Sequence, residues 1–274
     1  MNVDERIQKI KTQSVGATGV RVLLVEGVDD IAAFRIFLTN RPEAVGWESH
    51  WRIEESGNKR HLIAMLKREP TWLGIADRDE WTAAECNANT QAVPNLVLLP
   101  RFCMESYLIN PQEIWPALGL IQQQKVQGGL QALDLAVMAQ RVQWVRHAAL
   151  WHTINPLWRE LRDKGFPNGV LDPSKAIADA ALLTELTNWH NTLDAQAVLS
   201  RVQATEAMLT ALPNADLLKT WIYAKKFFPM VVHPVLERLL GPMPLKDRRL
   251  KLLRHMAEVA VPADLAPLWL AMGV

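Results

Sequence analysis

The chain has little cysteine. Its two thiols, Cys86 and Cys103, are too few for a disulfide framework and lie outside CxxC spacing, which points to a reduced, intracellular setting. No apolar run approaches the roughly 20 residues that a membrane-spanning helix needs. The opening MNVDERIQKIKTQ is charged where a secretory leader would be apolar, so a cytoplasmic protein with no membrane partner is expected. Neither sign of charge dominates: 30 Lys and Arg stand against 29 Asp and Glu, for a net charge of +1. Any affinity for nucleic acid must therefore come from local clusters. The seven histidines never fall in HxxxH or HExxH spacing, which argues against zinc chemistry. No GxxxxGK[ST] occurs, so the chain lacks a P-loop of its own.

What is present is ordinary globular material, 49% apolar and 22% charged over 274 residues, long enough to bury a sizeable core. Val3, Ile7 and Ile10 recur at helical spacing in a short leading segment. VRVLLV, residues 20–25, is a β-branched-rich apolar run, as expected of a parallel strand buried on both faces. Glu26-Gly27 ends it, and Asp29 or Asp30 is expected to open a helix carrying Ile31, Phe34, Ile36, Phe37 and Leu38. WESHWRI (47–53) reads as extended. The turn Ser56-Gly57-Asn58 then leads to a helix bearing Leu62, Ile63, Met65 and Leu66. WLGIA (72–76) is another buried strand and runs directly into Asp77-Arg78-Asp79. A polar loop through Pro94 precedes a last strand, NLVLL (95–99), and Asn110-Pro111-Gln112-Glu113 starts a helix.

This alternation predicts an α/β core with a parallel sheet over residues 17–112. Residues 113–274 carry helical periodicity instead. They are punctuated at Gly128-Gly129, Asn155-Pro156, Pro167-Asn168-Gly169, Asp172-Pro173, Pro213-Asn214 and Gly241-Pro242, and are expected to pack as short helices on the core.

In an open parallel sheet, side chains just beyond the strand C-termini converge on one crevice. Glu26 and Asp30 follow the first strand, and Asp77 and Asp79 follow the third. Four carboxylates in one small volume repel one another unless a cation offsets them. A hard, oxygen-seeking ion such as Mg²⁺ suits that donor set. Each motif alone also has a plainer reading: a DxD as a solvated turn, and EGxxD as a strand end before a helix cap.

LLVEGVDD (23–30) followed by GIADRDEW (74–81) resembles the Toprim signature, a Glu-Gly closing the first strand and a DxD after a later one. The version here is similar to the overcoming-lysogenization-defect (OLD) nucleases, to standalone DUF4435 proteins and to the Toprim effectors of PARIS-type anti-phage systems. Three further segments share the likeness: Ser56-Gly57-Asn58-Lys59, the stretch Arg101-Phe102-Cys103-Met104-Glu105-Ser106-Tyr107-Leu108, and Lys225-Lys226 in WIYAKKFF. The resemblance implies a Rossmann-like Toprim fold and a nuclease using Mg²⁺ or Mn²⁺. Its metal site would comprise Glu26, Asp30, Asp77, Asp79 and Glu105, with Lys225 or Lys226 facing the phosphate. It further implies a toxic effector that cleaves tRNA or other RNA, is released from an ATPase sensor protein, and acts as a homodimer. An OLD-like DNA endonuclease or nickase is one alternative; a non-catalytic interaction module is another, disfavoured because all four core acids are intact. Ala224 stands where that family has Gly before the lysine, so for the lysine pair a solvated helix face competes with a site role. Glu105, in turn, could instead make an ion pair with Arg101.

LKDRRLKLLRHM (245–256) reads as an amphipathic helix with Leu245, Leu250, Leu252 and Leu253 inward. Its Lys246, Arg248, Arg249 and His255 could hold a nucleic-acid backbone. Among eleven tryptophans, mostly expected in the core, Trp81 directly follows the DxD loop. A receiver-like phosphoacceptor domain is disfavoured because no Lys follows NLVLLPRF. A topoisomerase role fits poorly, with only Tyr107 and Tyr223 available.

Overall fold

The computed structural model describes residues 2–16, 19–79, 81–171 and 179–274. Contacts divide the chain into two compact units. One comprises Met1–Ala139, Leu218–Thr220 and Ala224–Val274; the other comprises Gln140–Leu217 and Trp221–Tyr223.

The first unit opens with α1 (Val3–Ile10), then alternates β1 (Arg21–Val25), α2 (Val28–Thr39), β2 (Trp51–Glu55), α3 (Lys59–Arg68), β3 (Leu73–Ala76), α4 (Ala83–Ala92) and β4 (Leu96–Leu98). The four strands form one sheet in the order β2-β1-β3-β4, every pair parallel. The unbroken apolar run of β1 has its reason here: Val22, Leu23, Leu24 and Val25 are all fully buried, because a central parallel strand is covered on both faces. Val22 and Leu24 share one face with Ile7 and Ile10 of α1 and Leu62, Met65 and Leu66 of α3. Alternate residues of a strand face opposite sides, and α2 packs against β1 and β2. Gly74 lets α3 sit close to the sheet, since a Cβ there would lie 2.5 Å from Leu66 Cδ1.

Three expectations are corrected in this region. WESHWRI is not extended throughout: Trp47–Ser49 form a 3₁₀ turn and the strand begins at Trp51. The segment expected as a polar loop holds α4, which buries none of its residues. It therefore has no apolar stripe to betray it. Its signal was the capping box Thr82-x-x-Glu85, in which each side chain bonds the other residue's backbone N–H. The helix after β1 starts at Val28, with Gly27 as its cap, rather than at Asp29 or Asp30.

Beyond the sheet come α5 (Pro111–Ala117), α6 (Leu120–Lys125) and α7 (Gly129–Val137). The second unit follows with α8 (Arg141–Ile154), α9 (Leu157–Asp163), α10 (Asn168–Leu171), α11 (Asp179–Thr192) and α12 (Ala195–Thr210). Here α8 packs on α12, and Trp151 stacks on Tyr223 with ring centres 4.1 Å apart. After α13 (Asn214–Thr220) the first unit resumes with α14 (Ala224–Phe227), α15 (His233–Leu240), α16 (Leu245–Val259) and α17 (Ala266–Met272).

The expected breaks at 128–129, 155–156, 167–168, 213–214 and 241–242 all fall at helix boundaries. That at Asp172-Pro173 lies outside the described residues. The division at residue 112 differs from the one that contacts define. The sheet-bearing unit also holds α5 to α7 and α14 to α17, with α16 packed on α2 and α5 and α17 reaching β3. Helical periodicity marks which face of a helix is buried, not which neighbour buries it.

Candidate metal centre

The strand order fixes where chemistry can gather. From β1 the chain moves outward to β2, then crosses back to β3 and on to β4 on the other side. The gap between the C-terminal ends of β1 and β3 is therefore the point at which the winding reverses, where α/β sheets bind ligands. Glu26 leaves β1 there, and Asp77 leaves β3.

The two loops are tied together. Glu26 Oε1 accepts from the Asp77 backbone N–H at 2.9 Å. The Ser56 and Gly57 backbone N–H groups donate to Val25 O and Glu26 O, and the Ser56 hydroxyl donates to Val25 O at 3.0 Å. Gly57 makes this turn at φ +91°, a conformation that L side chains rarely adopt. The Ser-Gly-Asn-Lys turn thus braces the end of β1. Asp79 does not continue the strand, as an extended DxD would. It sits at φ +47°, the one positive φ among the described non-glycine residues. Asp tolerates this left-handed region better than most residues. Its backbone N–H donates to Phe102 O at 2.8 Å.

One carboxylate oxygen from each of Glu26, Asp77 and Asp79 lies within 4.8 Å of the others, and this trio could hold a metal ion. Asp30 and Glu105 stand beside it without being in that trio. Asp30 Oδ2 accepts from the Gly27 N–H at 3.0 Å and feels the charges of Asp77 and Glu105. Glu105 does not pair with Arg101, which instead forms two hydrogen bonds to Glu113 and one to Asp264. Its partner is Arg249 of α16 at 3.2 Å, and Arg249 also reaches Asp29 at 3.0 Å. The other Glu105 oxygen is buried with no hydrogen-bond partner among the described residues.

Two ammonium groups face the trio. Lys225 Nζ lies 2.6 Å from Asp77 Oδ2 and 3.7 Å from Asp79 Oδ1. Lys59 Nζ lies 2.5 Å from Asp79 Oδ2 and 4.5 Å from the centre of the Trp81 ring. Both residues of the lysine pair are exposed, and it is Lys225 whose ammonium reaches the acids. Lys59, which sequence reasoning placed only in a turn, joins it as well. Its position just after an N-cap Asn58, at the start of the helix facing the DxD loop, was the available signal.

Burial and mutual repulsion set the proton affinities. Desolvation, then Asp77, raises Glu26 from 4.5 to about 7, with Lys59 pulling the other way. Desolvation, then Asp77, likewise raises Asp30 from 3.8 to about 7. Burial raises Asp77 too, against the pull of Lys225. For Lys225, burial opposes the charged form, but Asp77 and Asp79 more than offset it and its pKa rises. Crowded, half-dehydrated carboxylates of this kind gain most from a divalent cation. The all-oxygen donor set suits a hard ion rather than zinc.

No helix among the described residues is long and apolar enough to cross a membrane. No family model matches the chain, and no curated protein matches it closely enough to count as a relative.

Proposed function

We propose that the chain is a Toprim-type, metal-dependent nuclease whose Mg²⁺ or Mn²⁺ is held by Glu26, Asp77 and Asp79, with Asp30 and Glu105 flanking. The observation that carries this reading is the convergence of three carboxylates within 4.8 Å at the reversal point of a parallel sheet, faced by two lysines. A divalent ion in such a site supplies Lewis acidity and an activated water for phosphodiester hydrolysis.

The protein's own groups have separable tasks. Glu26 Oε1 is engaged by the Asp77 N–H, which leaves Oε2 either to hold the ion or, as a general base, to take a proton from the attacking water. Lys225 and Lys59 offer positive charge for a phosphate whose negative charge grows in the transition state. Trp81 fixes the Lys59 ammonium over its ring. Arg249 holds Glu105 and ties α16 to the centre.

The likeness of LLVEGVDD and GIADRDEW to Toprim effectors supports a narrower reading: a cytoplasmic anti-phage effector that cuts tRNA or other RNA as a homodimer after release from an ATPase sensor. The test is cleavage of purified tRNA and of plasmid DNA by the wild type, Glu26→Gln and Asp77→Asn proteins with Mg²⁺. Wild-type cleavage that EDTA and both substitutions abolish is the expected result. A folded wild type that binds Mg²⁺ yet cuts neither polymer overturns it, and cleavage of DNA alone shifts the substrate to DNA.

A further inference from the structure

Helix α16 carries two inward-facing arginines with opposite circumstances. Arg249 is matched by Asp29 and Glu105. Its neighbour Arg248 is only 3% exposed, yet has no carboxylate within ion-pair distance among the described residues. Its Nη2 donates to Gly241 O at 2.6 Å, and its Nε is buried with no hydrogen-bond partner among the described residues. The carboxylate that acts on it electrostatically, Glu237, lies 3.6 Å from His233 instead. Arg101, the other arginine buried to this degree, has two carboxylates. An uncompensated buried cation is costly, and proteins normally pair it.

The Arg248 side chain lines a narrow cleft shared with Lys251, His255, Gln122 and Met243. Arg248, Lys251 and His255 are spaced three and four residues apart, so they share one face of α16. His255 Nδ1 lies 3.1 Å from Ala117 O. A carbonyl only accepts, so Nδ1 carries the proton there. No carboxylate lines the cleft. The cleft is tight, with room for about one oxygen atom and not for a whole tetrahedral anion.

We propose that this cleft is an anion subsite that receives a single oxygen of a phosphate group, the remainder of the group staying outside. The phosphate belongs either to a phosphodiester of a polynucleotide strand or to a free phosphate species. The polynucleotide version rests on the nuclease reading, because Arg249 ties the same helix to the acidic centre. The anion site itself does not depend on that reading.

Two measurements test it, neither of which reads strand cutting. In the first, orthophosphate is added to the full chain at ionic strength matched with chloride, and thermal unfolding is followed. Wild type and Lys246→Ala, a change on the exposed part of α16, should gain Tm, whereas Lys251→Ala should not. Arg248→Met repeats the test if its melt stays cooperative. In the second, a labelled single-stranded RNA is titrated in EDTA. Lys251→Ala should weaken binding roughly threefold or more and lower the salt-dependence slope by about 1. Loss of the orthophosphate effect alone identifies a free phosphate species as the ligand. Loss of RNA affinity alone identifies a phosphodiester. If Lys251→Ala changes neither, the proposal is overturned and Arg248 is a brace for the Gly241 turn. Should the Glu26→Gln comparison fail to support a nuclease, the orthophosphate result stands by itself.

Discussion

Replacing Glu26 by Gln should make the metal-free protein more stable at alkaline pH, an unusual outcome for a substitution at a binding site. Gln keeps the oxygen that accepts from the Asp77 N–H and the shape of the side chain, and removes the charge. The folded-state pKa of Glu26 is raised from 4.5 to about 7, so the native state binds this proton more tightly than the unfolded chain. Stability therefore falls as pH rises from the unfolded value to about 7, and then levels. A shift of about 2.5 units corresponds to ~3 kcal/mol of destabilisation at pH 8 and under about 1 kcal/mol at pH 5. Asp30 and Asp77 titrate together with Glu26, and Gln also forgoes the attraction of Lys59. The expected net gain for the variant is thus about 1 to 3 kcal/mol at pH 8. Urea melts of both proteins in EDTA at pH 5, 6, 7 and 8 measure it. Mg²⁺ at about 1,000 times its Kd should then reverse the order, since it adds about 4.1 kcal/mol to the protein that binds it. A variant that is less stable than wild type by the same amount at every pH would refute the reasoning.

Two further outcomes follow from packing. Gly74→Ala places a methyl 2.5 Å from Leu66 Cδ1 and 3.0 Å from Leu62 Cδ2, so these leucines must change conformation or α3 must shift; a loss of about 1 to 3 kcal/mol in a denaturant melt is expected. Arg101→Met removes the buried guanidinium shared by Glu113 and Asp264, whose side chains are 26% and 31% exposed. These carboxylates keep part of their hydration, so the loss should be about 2 to 3 kcal/mol, below the 3 to 5 kcal/mol of a fully buried pair. Glu113→Gln, which retains an oxygen for the guanidinium, should cost less in the same melt.

The readable part of this molecule was its sheet. Continuous apolar runs at 20–25 and 72–76 found β1 and β3 within a residue, because burial on both faces leaves no polar alternation. Their exits then named Glu26, Asp77 and Asp79. What the pattern could not supply was partnership across the chain. Lys225 lies 148 residues from Asp77, and nothing in WIYAKKFF states which helix face turns toward the acids. Glu105 was read beside its sequence neighbour Arg101, but the 3₁₀ turn at Met104–Leu108 sends it to Arg249. In α16, Leu245 was expected inward and is 40% exposed, whereas Arg248 is buried. A hydrophobic stripe is only an average preference, and one buried cation escapes it. Helix α4 was overlooked because it buries no residue, so its stability comes from its cap.

The discontinuity of the first unit has a consequence for synthesis. The sheet and its three acids are complete by residue 98, but Lys225 and Arg249 arrive only after the second unit has been made. At ribosomal rates of roughly 5 to 20 residues per second, the nascent acidic cluster, with Lys59 already beside Asp79, waits on the order of ten seconds for Lys225 and for the Arg249 that pairs with Glu105. α16 and α17, which pack on α2 and β3, come later still. A chain halted midway would hold the carboxylates with Lys59 but without Lys225 and Arg249, and would leave those faces of α2 and β3 bare. The centre is thus assembled only after the second unit has been made.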